Sequence, residues 1–175
     1  MKRFFICICA ILFIAIGSCQ AQNPAEATIK ALFENFSEYE GAEGVEVSPF
    51  MMKLMRGFIK NDKDVSDEQR AFFERVNRMM IVEMSECSAQ DKARFKQKVQ
   101  SVEIKGFAKI EKPGDVNAIT FYQMLDDKVN IIVTAIFEEG SCSFSVFEGK
   151  FDEAFAQEFA SGDGHSPVRK VATTE

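Results

Sequence analysis

Apolar residues recur along this chain with two different periods, and the change between them divides it. Ile29, Leu32, Phe33 and Phe36 fall at helical spacing after Pro24. Proline suits a first helical turn, because its missing N–H is one of the unpaired donors there. Gly41 and Gly44 break that helix, and Val45 and Val47 alternate with Glu46 as a short strand. Ser48-Pro49 then reads as the cap and first residue of a second helix. Its buried stripe is expected at Phe50, Met51, Leu54, Met55 and Phe58, with Met52 off the stripe. Asn61 to Val65 is a charged loop, and Ser66 with Gln69 forms a capping box ahead of Phe72, Phe73 and Val76. Met79 to Met84 is short and apolar; the break at Ser85 to Ser88 favours a strand over a longer helix. Ser88 with Asp91 caps a further helix, whose buried positions are Phe95, Val99 and Val102.

After Gly106 the period becomes strand-like. Phe107 to Glu111 is a candidate strand closed by the turn Lys112-Pro113-Gly114-Asp115. Ile119 and Phe121 start the next, Val129 to Phe137 follow, and Cys142, Phe144 and Val146 alternate with Ser141, Ser143 and Ser145. A two-residue turn at Glu139-Gly140 pairs Phe137 with Cys142, Ala135 with Phe144 and Val133 with Val146, which puts six apolar residues on one face. The same kind of turn at Asp126-Asp127 would set Thr120 opposite Val133. A longer loop, Asp126 to Lys128, or a bulge instead aligns Phe121 with Val133 and Ile119 with Ala135. Gly149 is expected to end the meander, and Phe151, Phe155 and Phe159 to line a last helix stopped by Gly162. The expected fold is α+β: an antiparallel β-meander sheet, from about Asn117 to Gly149, with helices packed on one face in two layers.

The first residues set the compartment. Lys2 and Arg3 precede the apolar run Phe4 to Ile16, which matches a secretory signal peptide and is too short to span a bilayer. The run ends in Ile16-Gly17-Ser18-Cys19, which resembles the lipobox of bacterial lipoproteins. Cys19 is the candidate lipidation site, and acyl chains there would anchor the protein in the membrane. The competing site is cleavage after Ala21, which would leave a soluble periplasmic protein. Residues 1–19 are thus the signal peptide, 20–160 a single α+β domain, and 161–175, with two glycines and a proline, a flexible polar tail. The expected location is the periplasmic side of the cell envelope, at the outer membrane.

Composition narrows the activities. The formal charge of −6 argues against nucleic-acid binding, which needs clustered Lys and Arg. Lys92, Arg94, Lys96 and Lys98 do cluster on the fourth helix and could meet lipid headgroups or an acidic partner, but a solvated helix face is their simplest role. Cys7, Cys9 and Cys19 lie in the leader, so Cys87 and Cys142 are the pair left in the folded part. In an oxidising compartment they are a candidate disulfide; otherwise they are two buried thiols. Their bridging would require a Cα separation below about 7 Å.

A lipobox leader, Phe33-x-x-Phe36, Gly44-Val45-Glu46-Val47-Ser48 running into Met51-Met52-Lys53-Leu54-Met55, and a closing Phe147-Glu148-Gly149-Lys150-Phe151 together resemble the uncharacterised domain-of-unknown-function family 4252. Its members are small exported proteins of Gram-negative bacteria, often lipoproteins. The resemblance runs from Ala27 to Phe159 and rests on packing motifs. It implies export and lipidation, and no catalytic residue, cofactor or substrate.

Catalytic chemistry finds little footing. The single histidine, His165, falls in the tail, so Ser-His, Cys-His and most zinc arrangements lack an imidazole. No glycine-rich phosphate loop is present. The acid pairs Asp126-Asp127, Glu138-Glu139 and Asp152-Glu153 sit in turns or helix starts, and no Trp offers a sugar platform. Met51, Met52 and Met55 could offer thioethers to Cu(I), but core packing explains them as well. No catalytic, cofactor or metal residue is therefore assigned. The expected role is a non-enzymatic, envelope-anchored binding domain, attached to the membrane by its N-terminal lipid and contacting an envelope protein or ligand. A carrier or sensor of a small apolar ligand in a Phe- and Met-lined pocket is the second reading, and a carboxylate hydrolase the third. A lined pocket would favour the second, facing carboxylates the third, and a filled interior with an exposed apolar patch the first.

Overall fold

The computed structural model describes residues 24–60, 62, 65–110, 117–125, 128–138, 141–152 and 154–155. The leader with Cys19, the turn at Lys112 to Asp115, both hairpin turns, Phe159 and the tail with His165 lie outside them. Helix α1 spans Pro24–Ser37, α2 Pro49–Ile59, α3 Asp67–Arg75 and α4 Ala89–Ser101. The strands are β1 (Glu43–Val47), β2 (Val76–Glu83), β3 (Ala108–Ile110), β4 (Ala118–Leu125), β5 (Lys128–Glu138) and β6 (Ser141–Phe151). They form one antiparallel sheet in the order β1-β2-β6-β5-β4-β3. The α+β class and the antiparallel meander β4-β5-β6 are as expected.

The caps form where the spacing places them. Ser66 Oγ accepts from the Gln69 N–H while the Gln69 side chain accepts from the Ser66 N–H, a complete capping box. Ser88 Oγ accepts from the Asp91 N–H at 3.1 Å. Met79 to Glu83 is strand, with Met84 just beyond its end, and the strand starts earlier than expected, because α3 runs directly into β2 at Val76.

The meander register is the one that apolar alternation requires. Phe137 faces Cys142, Ala135 faces Phe144 and Val133 faces Val146. Phe121 faces Val133 and Ile119 faces Ala135, and a bulge between Gln123 and Met124 brings them there. Phe144 is buried on one face of β6, with Ser143 and Ser145 on the other.

Helices cover both faces of the sheet, a correction to the single covered face expected from the sequence. On the first face α1 and α4 pack Ile29, Leu32, Phe36, Phe95 and Val99 onto Met80, Val82, Phe121, Val133, Phe144 and Val146. Phe36 sits edge-on to Phe95 and Phe144, with ring centroids 4.7 and 5.2 Å apart. On the second face α2 and α3 bring Met52 and Phe72 onto Val76, Val129, Ile132, Phe147 and Phe151. Side chains alternate along a strand, so a bulge-free stretch such as Phe144-Val146-Phe147 serves both cores. The physical reason for two layers of helix is that β5 and β6 carry large apolar residues on both faces, and each face needs cover. The second face also holds Thr120, Thr134 and Ser145 in a row across β4, β5 and β6, all buried, with the two threonine hydroxyls 3.4 Å apart.

Gly149 does not end the meander. It lies inside β6, which continues to Phe151. A Cβ at Gly149 would stand 2.2 Å from the Arg75 carbonyl oxygen, so glycine there lets β6 pass under the α3–β2 junction. Phe155 packs against the second core, and its N–H is capped by Asp152 Oδ1 at 2.7 Å.

Candidate docking face

Helix α2 is apolar almost all the way round, and that property defines the candidate site. Ser48 caps its start, accepting from the Met51 N–H at 3.4 Å, and Pro49 opens the first turn. Its rotation about its own axis is fixed by Met52 and Arg56, four residues apart and therefore on one face. Met52 is wholly buried in the second core. Arg56 donates from Nε to the Phe73 carbonyl at 3.0 Å, and from Nη2 to the Val76 carbonyl at 2.5 Å and Asn77 Oδ1 at 2.9 Å. Those two carbonyls belong to the end of α3 and the start of β2, where a helix terminus leaves acceptors unpaired.

With Met52 and Arg56 inward, the stripe expected to be buried points outward. Phe50 is 69% exposed, Phe58 78%, Met51 49% and Leu54 45%. The sequence reading of α2 is thus corrected: the residue set aside is the core residue, and four of the five stripe residues are surface. Met55 alone of the five is partly buried against the core. Phe50, Leu54 and Phe58 follow at four-residue intervals and line an open, shallow groove with Lys53 and Gly57. Exposed Val45 lies just before the helix on β1, an edge strand of the sheet. The three methionines do not form one thioether site, since Met52 is enclosed and Met51 is half exposed.

A second concavity lies on the first face, beside the start of α1. It is a cavity of about 90 Å³ lined by Glu26, Ile29, Lys30, Arg78, Met80, Ile131 and Glu148. Arg78 bridges two strands there, at 2.7 Å from Glu46 on β1 and 3.0 Å from Glu148 on β6. Burial pushes the Glu148 carboxyl above the usual carboxylate range, and Arg78 offsets this only in part. Burial opposes the charge on Arg78, but its two carboxylate partners outweigh that and raise its pKa. The space suits a few waters and is well below the volume of a small-molecule site.

Cys87 and Cys142, the candidate disulfide, are free thiols buried in the first core. They approach through Met84, whose N–H donates to the Cys142 carbonyl and whose own carbonyl accepts from the Cys87 N–H. Burial raises both thiols, Cys142 to about 11. Neither has the lowered pKa of a reactive cysteine. Of the basic residues on α4, Lys92 donates to the Ser85 carbonyl, Arg94 pairs with Asp91 at 3.4 Å, and Lys96 lies over the Phe137 ring. Among the described residues no three His, Cys, Asp or Glu side chains form a group able to hold a metal ion, and no helix is long and apolar enough to cross a membrane. Of the acid pairs, Asp126, Asp127, Glu139 and Glu153 lie outside the described residues.

No protein-family model, curated protein or solved structure matches the chain.

Proposed function

We propose that this protein is a non-catalytic binding domain of the bacterial cell envelope, anchored by lipid on Cys19, which works through the outward face of α2. The observation that carries this reading is the exposure of Phe50, Met51, Leu54 and Phe58 on one helix whose other side is already packed. A helix that is apolar all round belongs in an interior, so its free side is a surface kept for contact. Phe, Met, Val and Ile side chains of the described residues pack into two buried clusters, which supports contact at the surface rather than a lined pocket. The resemblance to domain-of-unknown-function family 4252 and to the lipobox supports export and acylation in the same way.

Two measurements test the reading. Cys19→Ala should move the protein from membrane to soluble fractions; identical fractionation of both forms would remove the anchor. A photo-crosslinking residue at Leu54 should give adducts in intact cells, while one at Gln97 on the exposed side of α4 should not. Equal yields at the two positions would remove the docking role.

A further inference from the structure

The charge around α2 says which kind of surface it fits. From Val47 to Asn61 the only charged residues are Lys53, Arg56 and Lys60, so this stretch carries +3. The chain's net −6 is therefore −9 outside it. Arg56 is turned inward to its three acceptors, which leaves Lys53 and Lys60 exposed beside the four apolar side chains. A second copy of the chain would bring like-charged helices together, which opposes an α2–α2 dimer. Large apolar side chains beside exposed lysines on one helix match the way an interfacial helix enters a lipid surface.

We propose that the outward face of α2 inserts Phe50, Met51, Leu54 and Phe58 into the surface of an anionic phospholipid bilayer, with Lys53 and Lys60 at the headgroups. This rests on the docking role of α2 proposed above, and the test separates the two.

The chain from Gln20 to Glu175 contains every residue of both cores and carries no lipid. It should co-sediment with vesicles of phosphatidylcholine containing a quarter phosphatidylglycerol, and at least ten-fold more weakly with phosphatidylcholine alone. Phe50→Asp with Phe58→Asp should weaken binding to the anionic vesicles at least ten-fold, Lys53→Glu several-fold, and Phe58→Leu little. All three variants should melt as wild type does, since the replaced side chains are exposed. Failure of wild type to sediment with anionic vesicles, or wild-type binding by the double Asp variant, overturns the proposal. If vesicle binding fails while Leu54 still crosslinks selectively to a protein in cells, α2 docks on protein and only the bilayer is removed. If both fail, the docking role falls as well.

Discussion

Truncating Met52 to Ala and Phe58 to Ala should have opposite consequences from those the chain's hydrophobicity suggests. Met52 is wholly buried among Phe72, Val76, Val129, Ile132, Phe147 and Phe151. Removing three of its heavy atoms forfeits about 2 kcal/mol of transfer free energy, at roughly 0.8 kcal/mol per methylene equivalent. The void that remains adds about 24 cal/mol per Å³, for a total of about 2–4 kcal/mol. Phe58 is 78% exposed, so Phe58→Ala removes surface that water already wets and should change stability by less than about 0.5 kcal/mol. Urea unfolding of both variants, followed by circular dichroism, measures the difference as a shift in midpoint at constant slope. If Phe58→Ala costs more than about 1 kcal/mol while Met52→Ala costs less, then α2 is turned by half a rotation and its apolar stripe is core.

Three further outcomes follow from the packing. Gly149→Ala should destabilise by more than about 2 kcal/mol, since its Cβ meets the Arg75 carbonyl at 2.2 Å, whereas Gly57→Ala meets nothing within 4 Å and should stabilise α2 by up to ~1 kcal/mol; equal midpoints for the two variants would refute both placements. Arg78→Met should cost about 1–2 kcal/mol near neutral pH, a figure already discounted for the partial exposure of the pair. It also removes the group that holds the Glu148 carboxyl down, so the deficit should grow as pH rises through that raised pKa; equal deficits at pH 5 and 7.5, read in urea, would refute the pairing. Cys142 should resist iodoacetamide until the protein unfolds, and mass spectrometry after alkylation without reduction should then find label on both Cys87 and Cys142. Because the folded thiol titrates near 11, its stabilisation is complete below the ordinary thiol value of 9.0 and is lost as pH rises towards 11. Cys142→Ala should flatten that decline, worth about 2 kcal/mol, and an unchanged slope would show that the thiol is not buried.

The parts of this fold legible in the sequence are those in which one local pattern decides. Strand register in the meander follows from a period of two: a slip by one residue would carry Phe144 and Val146 to the wrong face, so alternation alone selects the pairing. The bulge at Gln123 and Met124 is legible for the same reason, since only an extra residue brings Phe121 opposite Val133. Caps at Ser48, Ser66 and Ser88 are short-range hydrogen-bonding chemistry, and spacing shows them. Burial of the alternate positions is not legible in this way. Ser143 and Ser145 are polar and lie opposite Phe144, yet both are buried, because alternation reports a face and not whether anything lies near it.

Helix α2 shows where local pattern runs out. Its inward residues Met52, Met55 and Ile59 and its outward residues Phe50, Leu54 and Phe58 are equally apolar, so periodicity offers two solutions half a turn apart. The choice is made by Arg56, the residue that a hydrophobicity pattern assigns to solvent. Its guanidinium satisfies acceptors at Phe73, Val76 and Asn77, 17 to 21 residues away, at a junction where α3 hands over to β2 without a loop. Each of those bonds involves a charged donor and a terminus that would otherwise leave carbonyls unpaired, so together they contribute several kcal/mol of preference for one rotation. Outward burial of the phenylalanines would give up that network and leave Met52 wet. The exposed apolar face is thus the consequence of a polar constraint on the opposite side of the helix. A sequence signal for it does exist: an arginine four residues from a methionine, on a helix with too many apolar residues for one face.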